Sequence, residues 1–246
     1  MAHRTESTAP FNRSAVLQRA NDLLPEYRAA ITGIAPEAGF GGVWESEMLL
    51  FFAAVKQYAP KQILESGRGR GKSTSILARC FPQAQIISVE LDSSGPNAVE
   101  AEEKLKLYRN VTLLSGDSGK VLPRYLQSGD AVLIDGPKDF NAVGLALQLL
   151  RTELPCLVFM HDFPPENPAR KFVADHWPEA FFGDDPSFQH FRSLDDERDP
   201  FLGKRARGYG TFACLPPELP APYGRLHRQL LLARLAARLR FPRTSS

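Results

Sequence analysis

Short apolar runs alternate with helical segments along the middle of the chain, and this alternation constrains the fold more than any other feature of the sequence. The runs are rich in β-branched residues, and the segments between them carry apolar residues at helical spacing. This pattern is typical of βαβ units, which build a parallel sheet. The predicted strands are Gln62–Glu65, Gln85–Glu90, Val111–Leu114, Ala131–Asp135 and Cys156–Met160. The predicted helices are Lys72–Cys80, Asn97–Tyr108, Gly119–Gln127, Phe140–Leu150 and Pro168–His176.

Further elements flank this alternating region. Apolar residues at helical spacing predict a helix that starts near Val16 and ends at Pro25, and a second helix over 44–58 that follows a glycine-rich loop at 39–42. The alternation in 209–215 predicts an edge strand, which would complete a seven-stranded sheet.

The tail over 223–240 is predicted to be a helix that packs on the core with its arginines outward. Docking on a membrane surface and a dimer contact are the alternatives for this helix. We therefore expect a helical lead over 1–43, a main domain over 44–215 and a basic C-terminal helix over 216–246.

The charge balance and the cysteines argue against several classes of partner. The chain has 30 basic and 28 acidic residues, a formal net charge of +2, which is too even for the broad positive field that nucleic-acid binding uses. Cys80, Cys156 and Cys214 are widely spaced and indicate neither a disulfide framework nor a zinc site. No apolar run resembles a secretory signal or a membrane-spanning helix. We expect a cytoplasmic protein that acts on a small molecule, with homodimer formation left open.

A glycine-rich loop, Glu65-Ser66-Gly67-Arg68-Gly69-Arg70-Gly71, joins the first strand to the next helix. Glycine permits the sharp turn and the close approach to a ligand that such a loop needs, and free N–H groups at the helix start favour anions. One interpretation is a site for a nucleotide triphosphate, because Gly71-Lys72-Ser73 resembles the end of a phosphate-binding P-loop. The spacing contradicts it, since Ser66 stands where a P-loop has its first glycine.

The same loop resembles the first motif of the class I methyltransferases, an acidic residue followed by Gly-x-Gly-x-Gly. Glu65, Gly67, Gly69 and Gly71 match this motif in full. The resemblance implies an α/β, Rossmann-like fold, a three-layer sandwich around a mostly parallel seven-stranded sheet. It also implies that S-adenosylmethionine is the cofactor, that the loop including Ser66 binds it, and that Glu65 lies near its methionine portion.

The next two strands end in residues that fit this resemblance. The second strand ends with Glu90, a carboxylate where this fold hydrogen-bonds the ribose hydroxyls. The third strand runs into Ser115-Gly116-Asp117-Ser118, which resembles the family's Gly-Asp turn beside the adenine. The resemblance thus implies that Glu90, Asp117 and Ser118 bind the cofactor. Asp117 is also explained as the N-cap of the following helix, and the two roles are compatible.

The ends of the fourth and fifth strands bear on the acceptor. The segment Asp135-Gly136-Pro137-Lys138-Asp139 resembles the Asp-x-x-Lys-Asp/Glu arrangement of divalent-metal-dependent O-methyltransferases of the catechol and caffeoyl-CoA type. This resemblance implies that Asp135 and Asp162 share a Mg²⁺ ion and that Lys138, with a lowered pKa, helps to remove the acceptor's proton.

His161 is a further catalytic candidate at the fifth strand end. The sequence His161-Asp162-Phe163 departs from those families, which follow this aspartate with Asn or present an Asp-Asp pair. The alternatives are a solvated loop lysine at Lys138 and a hydrogen-bonded residue that closes the strand at His161.

Two further groups are weaker candidates. Trp44, Glu45 and Glu47 precede the first strand in a region that approaches the cofactor or substrate in related folds, although helix capping and core packing explain them equally well. The second group is a set of aromatic and histidine residues that could line an aromatic-binding pocket, with core packing and surface positions as the alternative. The polar segment over 184–207 is long enough for a substrate lid. The residues considered for the pocket are His176, Trp177, Phe188, His190 and Phe191.

Three hypotheses about function follow from these features. The first is an S-adenosylmethionine-dependent O-methyltransferase that acts on a small molecule. The second is a P-loop-like phosphotransferase, and the third is a methyltransferase-like domain that binds its ligand without catalysis, which a fold alone does not exclude.

Overall fold

A computed structural model describes residues 12–34, 42–198 and 212–240. Its strands are β1 Gln62–Ser66, β2 Gln85–Glu90, β3 Val111–Ser115, β4 Ala131–Ile134, β5 Leu157–Met160, β6 Phe181–Phe182 and β7 Ala213–Leu215. They form one sheet in the spatial order β3-β2-β1-β4-β5-β7-β6. The first five strands pair in parallel, and β7 is antiparallel to both of its neighbours. The predicted mostly parallel seven-stranded sheet is confirmed.

The strand predicted over 209–215 exists as β7, but its predicted place at the edge of the sheet is wrong. β7 lies between β5 and β6, with Leu215 opposite Val158 and Cys214 opposite Phe181. Cys214 belongs to the core on one face of the sheet, and Ala213 and Leu215 to the core on the other. Alternation along this strand therefore reflects two buried faces rather than one exposed face. The predicted positions 209–211 lie outside the described residues.

Helices cover both faces of the sheet and form the two outer layers of the predicted sandwich. Helices α1 to α3 pack on one face, and α5, α6, α7 and α9 pack on the other. Short 3-10 turns occupy Lys56–Tyr58 and Pro186–Arg192. The helices are α1 Arg13–Ile31, α2 Glu45–Val55, α3 Lys72–Cys80, α4 Pro96–Leu105, α5 Ser118–Tyr125, α6 Asp139–Leu150, α7 Pro168–His176, α8 Ser193–Arg198 and α9 Tyr223–Arg240.

Helix α1 continues through Pro25 to Ile31, so the predicted end at Pro25 is wrong. A proline inside a helix removes one hydrogen bond and costs about 3 kcal/mol. Packing beyond Pro25 offsets this cost, because the side chain of Tyr27 is fully buried, its hydroxyl donates to the Glu45 carbonyl at 2.8 Å, and its ring lies 6.0 Å from that of Phe52. These contacts are tertiary, and the local pattern does not contain them.

The predicted aromatic pocket does not form. Phe188 and Phe191 belong to the core on the α1 side of the sheet, whereas Trp177 belongs to the core on the opposite side. His176 stacks on Phe172, and His190 lies 3.1 Å from the side-chain oxygen of a residue in α1. The sheet separates the proposed pocket residues, so the alternative of core packing holds.

The polar segment predicted as a loop is partly helical, because residues 186–198 form the 3-10 turn and α8. The rest of the predicted lid, 199–207, and positions 39–41 of the glycine-rich loop lie outside the described residues. Among the helices that the structure describes, none is long and apolar enough to cross a membrane.

Candidate active site

The glycine loop after β1 is fixed at both ends and open in the middle. Gly67 has φ +84°, and a Cβ there would lie 2.6 Å from the backbone nitrogen of Gly136 after β4. Gly71 has φ +85°, and a Cβ would lie 3.1 Å from Leu105 in α4. Gly69 also has a positive φ, +51°, but among the described residues nothing lies within 4 Å of its added Cβ. The loop therefore leaves an open space beside Gly69 that a ligand can approach closely.

Glu90, at the tip of β2, lies against this open part of the loop. Its Oε2 accepts a hydrogen bond from the Gly69 N–H at 2.9 Å, and its Oε1 accepts one from the Leu91 N–H at 2.9 Å. The glycine turn and the carboxylate at the tip of the next strand are thus in contact, as predicted. Glu90 is half-buried, so part of the carboxylate still faces solvent.

Asp117, after β3, is the N-cap of α5, as its alternative interpretation predicts. Its side chain accepts a hydrogen bond from the Gly119 N–H at 2.9 Å, and it remains about half exposed. The neighbouring Ser118 hydroxyl lies 2.7 Å from the Ser66 hydroxyl, which in turn donates to the Gly136 carbonyl. Ser66 and Ser118 therefore join the tips of β1, β4 and α5, and Ser66 is fully buried.

Glu65 lies beneath the loop rather than in its open space. The residue is fully buried, and its Oε2 accepts hydrogen bonds from the hydroxyls of Thr74 and Ser88, both at 2.5 Å. Burial raises the pKa of Glu65 in spite of these bonds. Sequence analysis missed both hydroxyl partners; the signal for Ser88 was a polar residue inside an otherwise apolar strand.

A buried charged cluster lies beside the loop, at the tips of β4 and β5. His161 is its centre: Nε2 lies 2.8 Å from Glu47 Oε2, and Nδ1 lies 2.9 Å from Asp135 Oδ1 and 3.2 Å from Asp162 Oδ1. Burial alone would lower the pKa of His161, but Glu47 and then Asp135 outweigh it and raise the pKa well above its usual value. The imidazole is therefore held as a cation among three carboxylates.

Lys138 closes the same cluster from the solvent side. Its Nζ lies 2.6 Å from Asp135 Oδ1 and 2.5 Å from Asp162 Oδ2. Burial alone would lower the pKa of Lys138, but the two carboxylates outweigh it and the pKa is raised. The predicted lowered pKa of Lys138 is therefore wrong for this arrangement, because that prediction included a bound Mg²⁺ and not the pairing of Lys138 with both carboxylates.

The two aspartates of the cluster are held ionised by the same cations. Burial alone would raise the pKa of Asp135, but His161 and Lys138 outweigh it and the pKa is lowered. The pKa of Asp162 is lowered as well, with burial again opposed by His161 and Lys138. Asp162 is nearly half exposed, so it is the carboxylate of the cluster that solvent and a ligand can reach.

The ligand atoms of Asp135, His161 and Asp162 lie within 4.8 Å of one another, so by donor type they could hold a divalent ion. By charge they do not fit one in this arrangement. The Lys138 ammonium lies between the two carboxylates, where a cation shared by them would bind, and His161 supplies a second positive charge. An imidazole is also a less usual ligand for Mg²⁺ than an oxygen atom.

Glu47 is part of this cluster although the sequence indicated it only weakly. Its side chain is almost fully buried, and Oε2 accepts from the Trp44 N–H at 3.1 Å as well as facing His161. The predicted capping role and a role in the site are therefore combined in one carboxylate. Trp44 contributes its backbone N–H to this arrangement.

The start of α2 is capped from a distant part of the chain. Asp195 in α8 accepts hydrogen bonds from the Glu45 N–H at 2.7 Å, from the Ser46 N–H at 3.1 Å and from the Ser46 hydroxyl at 2.5 Å. Burial raises the pKa of Asp195 to about 6. Lys72 Nζ lies 3.8 Å from the Glu45 carboxylate. Sequence analysis placed Asp195 in a polar loop and missed this contact.

The strand order and the site together define a class of protein. A sheet with this order and an antiparallel β7, with a glycine turn and a carboxylate at the tips of β1 and β2, is the fold of the class I methyltransferases. Residues 64–163 match a family model described as a methyltransferase domain. The chain therefore has the class I methyltransferase fold, and this part of it is similar to a methyltransferase domain. The match and the spacing of the glycine loop both favour the methyltransferase hypothesis over the phosphotransferase hypothesis.

Solved structures resemble the chain at low sequence identity. A putative O-methyltransferase from Klebsiella pneumoniae is 21% identical, with 86% of this chain and 93% of that chain covered and a TM-score of 0.46. The O-methyltransferase from Bacillus cereus, in complex with SAH, is 16% identical, with 85% and 93% covered and a TM-score of 0.46. The O-methyltransferase TomG from Streptomyces achromogenes, in complex with SAM, is 18% identical, with 85% and 93% covered and a TM-score of 0.44. No curated protein matches the chain.

Proposed function

We propose that this protein is an S-adenosylmethionine-dependent methyltransferase and that it methylates a hydroxyl group of a small molecule. The observation that carries the proposal is the position of Lys138, whose ammonium lies between Asp135 and Asp162 at the strand tips beside the glycine loop. A cation held there stabilises the conjugate base of an acceptor hydroxyl and so lowers the pKa of that hydroxyl. Amine acceptors would gain nothing from this arrangement, because an ammonium repels a nitrogen that becomes positive during methylation.

The glycine loop and Glu90 are the residues that we assign to the cofactor. Gly69 leaves the space that a Cβ would fill, and Glu90 offers two carboxylate oxygens beside it, which suit a pair of ribose hydroxyls. Asp117 lies at the neighbouring strand tip with half of its carboxylate exposed, and we keep it as a partner of the adenine amine. When bound, S-adenosylmethionine supplies an electrophilic methyl group on a sulfonium sulfur.

Glu65, Ser66 and Ser118 support this site from below. Glu65 accepts hydrogen bonds through its Oε2 from hydroxyls of α3 and β2, and the two serine hydroxyls bind each other. We infer that they act on the cofactor by holding the loop in its shape, while Gly67 and Gly71 permit the close packing of that loop.

The charged cluster supplies the proton chemistry. Lys138 stabilises the acceptor oxygen as that oxygen loses its proton to solvent water, and the ionised Asp162 holds the Lys138 ammonium in place. His161 and Glu47 keep Asp135 ionised and fixed in position. Alignment of the acceptor oxygen with the methyl group that bound S-adenosylmethionine would supply would account for much of the rate. We propose that the reaction needs no metal, because Lys138 already provides the cation.

Calorimetric titration and activity with defined acceptors test this proposal. Purified protein should bind S-adenosylhomocysteine with equal affinity in EDTA and in Mg²⁺. It should also convert S-adenosylmethionine to S-adenosylhomocysteine when a phenol or catechol is added. A requirement for Mg²⁺ or Mn²⁺ would contradict the metal-independent mechanism. Binding of the cofactor product without turnover of any hydroxyl acceptor would support the non-catalytic hypothesis instead.

Two lysine variants provide the matched comparison. Lys138→Met should lower kcat by about 10²-fold or more, the usual size of a contribution to proton transfer, and leave affinity for S-adenosylhomocysteine within about twofold. Lys120→Met removes a lysine that is 77% exposed and paired only with Asp117 at 3.6 Å, and it should leave kcat unchanged. Equal rates for the two variants would refute the role of Lys138.

A further inference from the structure

Helix α9 presents apolar residues on two opposite faces, and the part of the chain that the structure describes covers only one of them. Leu226 and Leu230 are buried where α9 packs on α6 and α7. A second set of leucines, spaced three and four residues apart, lies on the far side of the helix and is 50% to 76% exposed. This set, the α9 leucine face, consists of Leu231, Leu232, Leu235 and Leu239.

The charge of α9 is of one sign only. No Asp or Glu occurs between Tyr223 and Arg240. At 100° per residue, Arg228 falls within the arc of the leucine face, and Arg238 falls beside it. The arginines of the helix are Arg225, Arg228, Arg234, Arg238 and Arg240.

A cleft of about 550 Å³ runs along one side of α9. Arg234 and Arg238 line it on the α9 side, and Asp139 and Pro168 line it at the starts of α6 and α7. Asp139 directly follows Lys138, and the residue before Pro168, Asn167, donates to the Asp162 carbonyl at 3.0 Å. The arginine-lined side of α9, which borders the leucine face at Arg238, is therefore next to the loops of the charged cluster.

We propose that α9 binds the surface of an anionic lipid membrane, with its leucine face in the interface and its arginines at the lipid phosphates. An exposed apolar stripe flanked by arginines, on a helix without acidic residues, is the composition that such surfaces select. A second copy of this chain fits less well, because two α9 helices would bring arginines together with no acidic partner on either. The proposal does not depend on the reaction that the enzyme catalyses.

Cosedimentation of the purified full chain with vesicles tests the proposal. One set of vesicles is phosphatidylcholine alone, and the other is phosphatidylcholine with phosphatidylglycerol. The protein should sediment with the anionic vesicles, bind the neutral vesicles at least tenfold more weakly, and dissociate as salt is raised. No binding to the anionic vesicles, or equal binding to both sets, would overturn the proposal.

Matched variants assign the binding to α9. The triple variant Leu231→Ser, Leu235→Ser and Leu239→Ser should lower binding to anionic vesicles at least tenfold. The control carries Leu91→Ser and Leu107→Ser, which change leucines that are 74% and 83% exposed elsewhere on the surface, and it should bind as the parent does. Circular dichroism verifies that both variants are folded.

Sedimentation velocity without lipid distinguishes membrane binding from dimer formation through the leucine face. A monomer, in both the parent and the triple variant, supports the membrane proposal. A dimer that the triple variant abolishes, together with parent protein that ignores anionic vesicles, would assign the leucine face to a second copy and refute the proposal. Retained vesicle binding by the triple variant would refute it as well.

Discussion

Gly67 and Gly69 are two residues apart and both have positive φ, yet their surroundings predict opposite consequences of adding a methyl group. In Gly67→Ala the new Cβ would lie 2.6 Å from the Gly136 nitrogen and 3.0 Å from the Asp135 carbonyl carbon, both backbone atoms. In Gly69→Ala the Cβ has no neighbour within 4 Å. The first change should therefore affect stability, and the second should affect the ligand.

The expected magnitudes follow from these distances. A residue with a Cβ at positive φ costs about 1–2 kcal/mol, and overpacking against backbone adds about 1–3 kcal/mol. We expect Gly67→Ala to lower the free energy of unfolding by about 3–4 kcal/mol and Gly69→Ala by about 1 kcal/mol. In a chain of this size each kcal/mol lowers Tm by about 2–4 °C, which gives decreases of about 10 °C and about 3 °C.

Thermal unfolding and calorimetric titration with S-adenosylhomocysteine measure the two effects separately. Gly69→Ala should weaken binding at least tenfold, since its methyl group fills the space beside Glu90, while most of the stability is kept. Gly67→Ala, at a temperature where it is folded, should bind more nearly like the parent. Equal losses of Tm in both variants, or unchanged binding in Gly69→Ala, would refute the distinction between a packed and an open glycine.

Three further outcomes are expected. Glu90→Ala should raise the KM for S-adenosylmethionine at least tenfold and change kcat much less, as steady-state kinetics would measure; a loss confined to kcat would contradict ribose binding. Glu47→Gln should destabilise the protein by about 2–3 kcal/mol, because His161 loses a buried partner. The pKa of His161 is raised in the folded state, so this loss of stability should be full below the unfolded-state pKa of about 6.5. It should shrink as pH rises through the higher folded-state pKa. Denaturant unfolding at several pH values that gave a constant loss of stability would contradict this prediction. The pKa of Asp195 is raised from 3.8 to about 6, so the folded protein binds this proton more tightly than the unfolded protein does. The contribution of Asp195 to stability should therefore fall as pH rises from 3.8 to about 6. Asp195→Asn should flatten that part of the stability profile, and an unchanged slope would count against this prediction.

Much of the fold followed from local patterns. The five parallel strands were predicted to within one residue at each end, because a buried parallel strand is a short apolar run whose limits are visible in the sequence. The end of α1 and the position of β7 were not predictable in this way. Burial of Tyr27 carries α1 past Pro25, and the pairing of β7 with β5 and β6 joins segments far apart in the chain.

In the candidate site, too, the features that depend on a single segment were predictable, and the contacts between distant segments were not. The glycine loop and Glu90 were predictable because their roles depend on conformations and positions at the end of single strands. The partners of Glu65 were not, since Thr74 and Ser88 are ordinary polar residues until folding places them beneath the loop. The pKa of Lys138 was predicted in the wrong direction because the direction of the shift depends on which charges lie near the amine.

The sequence by itself determined the βαβ order, the glycine turn and the carboxylate at the tip of β2, because hydrophobic periodicity and the backbone freedom of glycine are local properties. The tertiary structure alone decided the charge state of the site. Glu47 meets His161 across 114 positions of the chain, and Asp195 caps α2 across 149. Electrostatic interactions depend on distance in space and on burial, so no local pattern contains them.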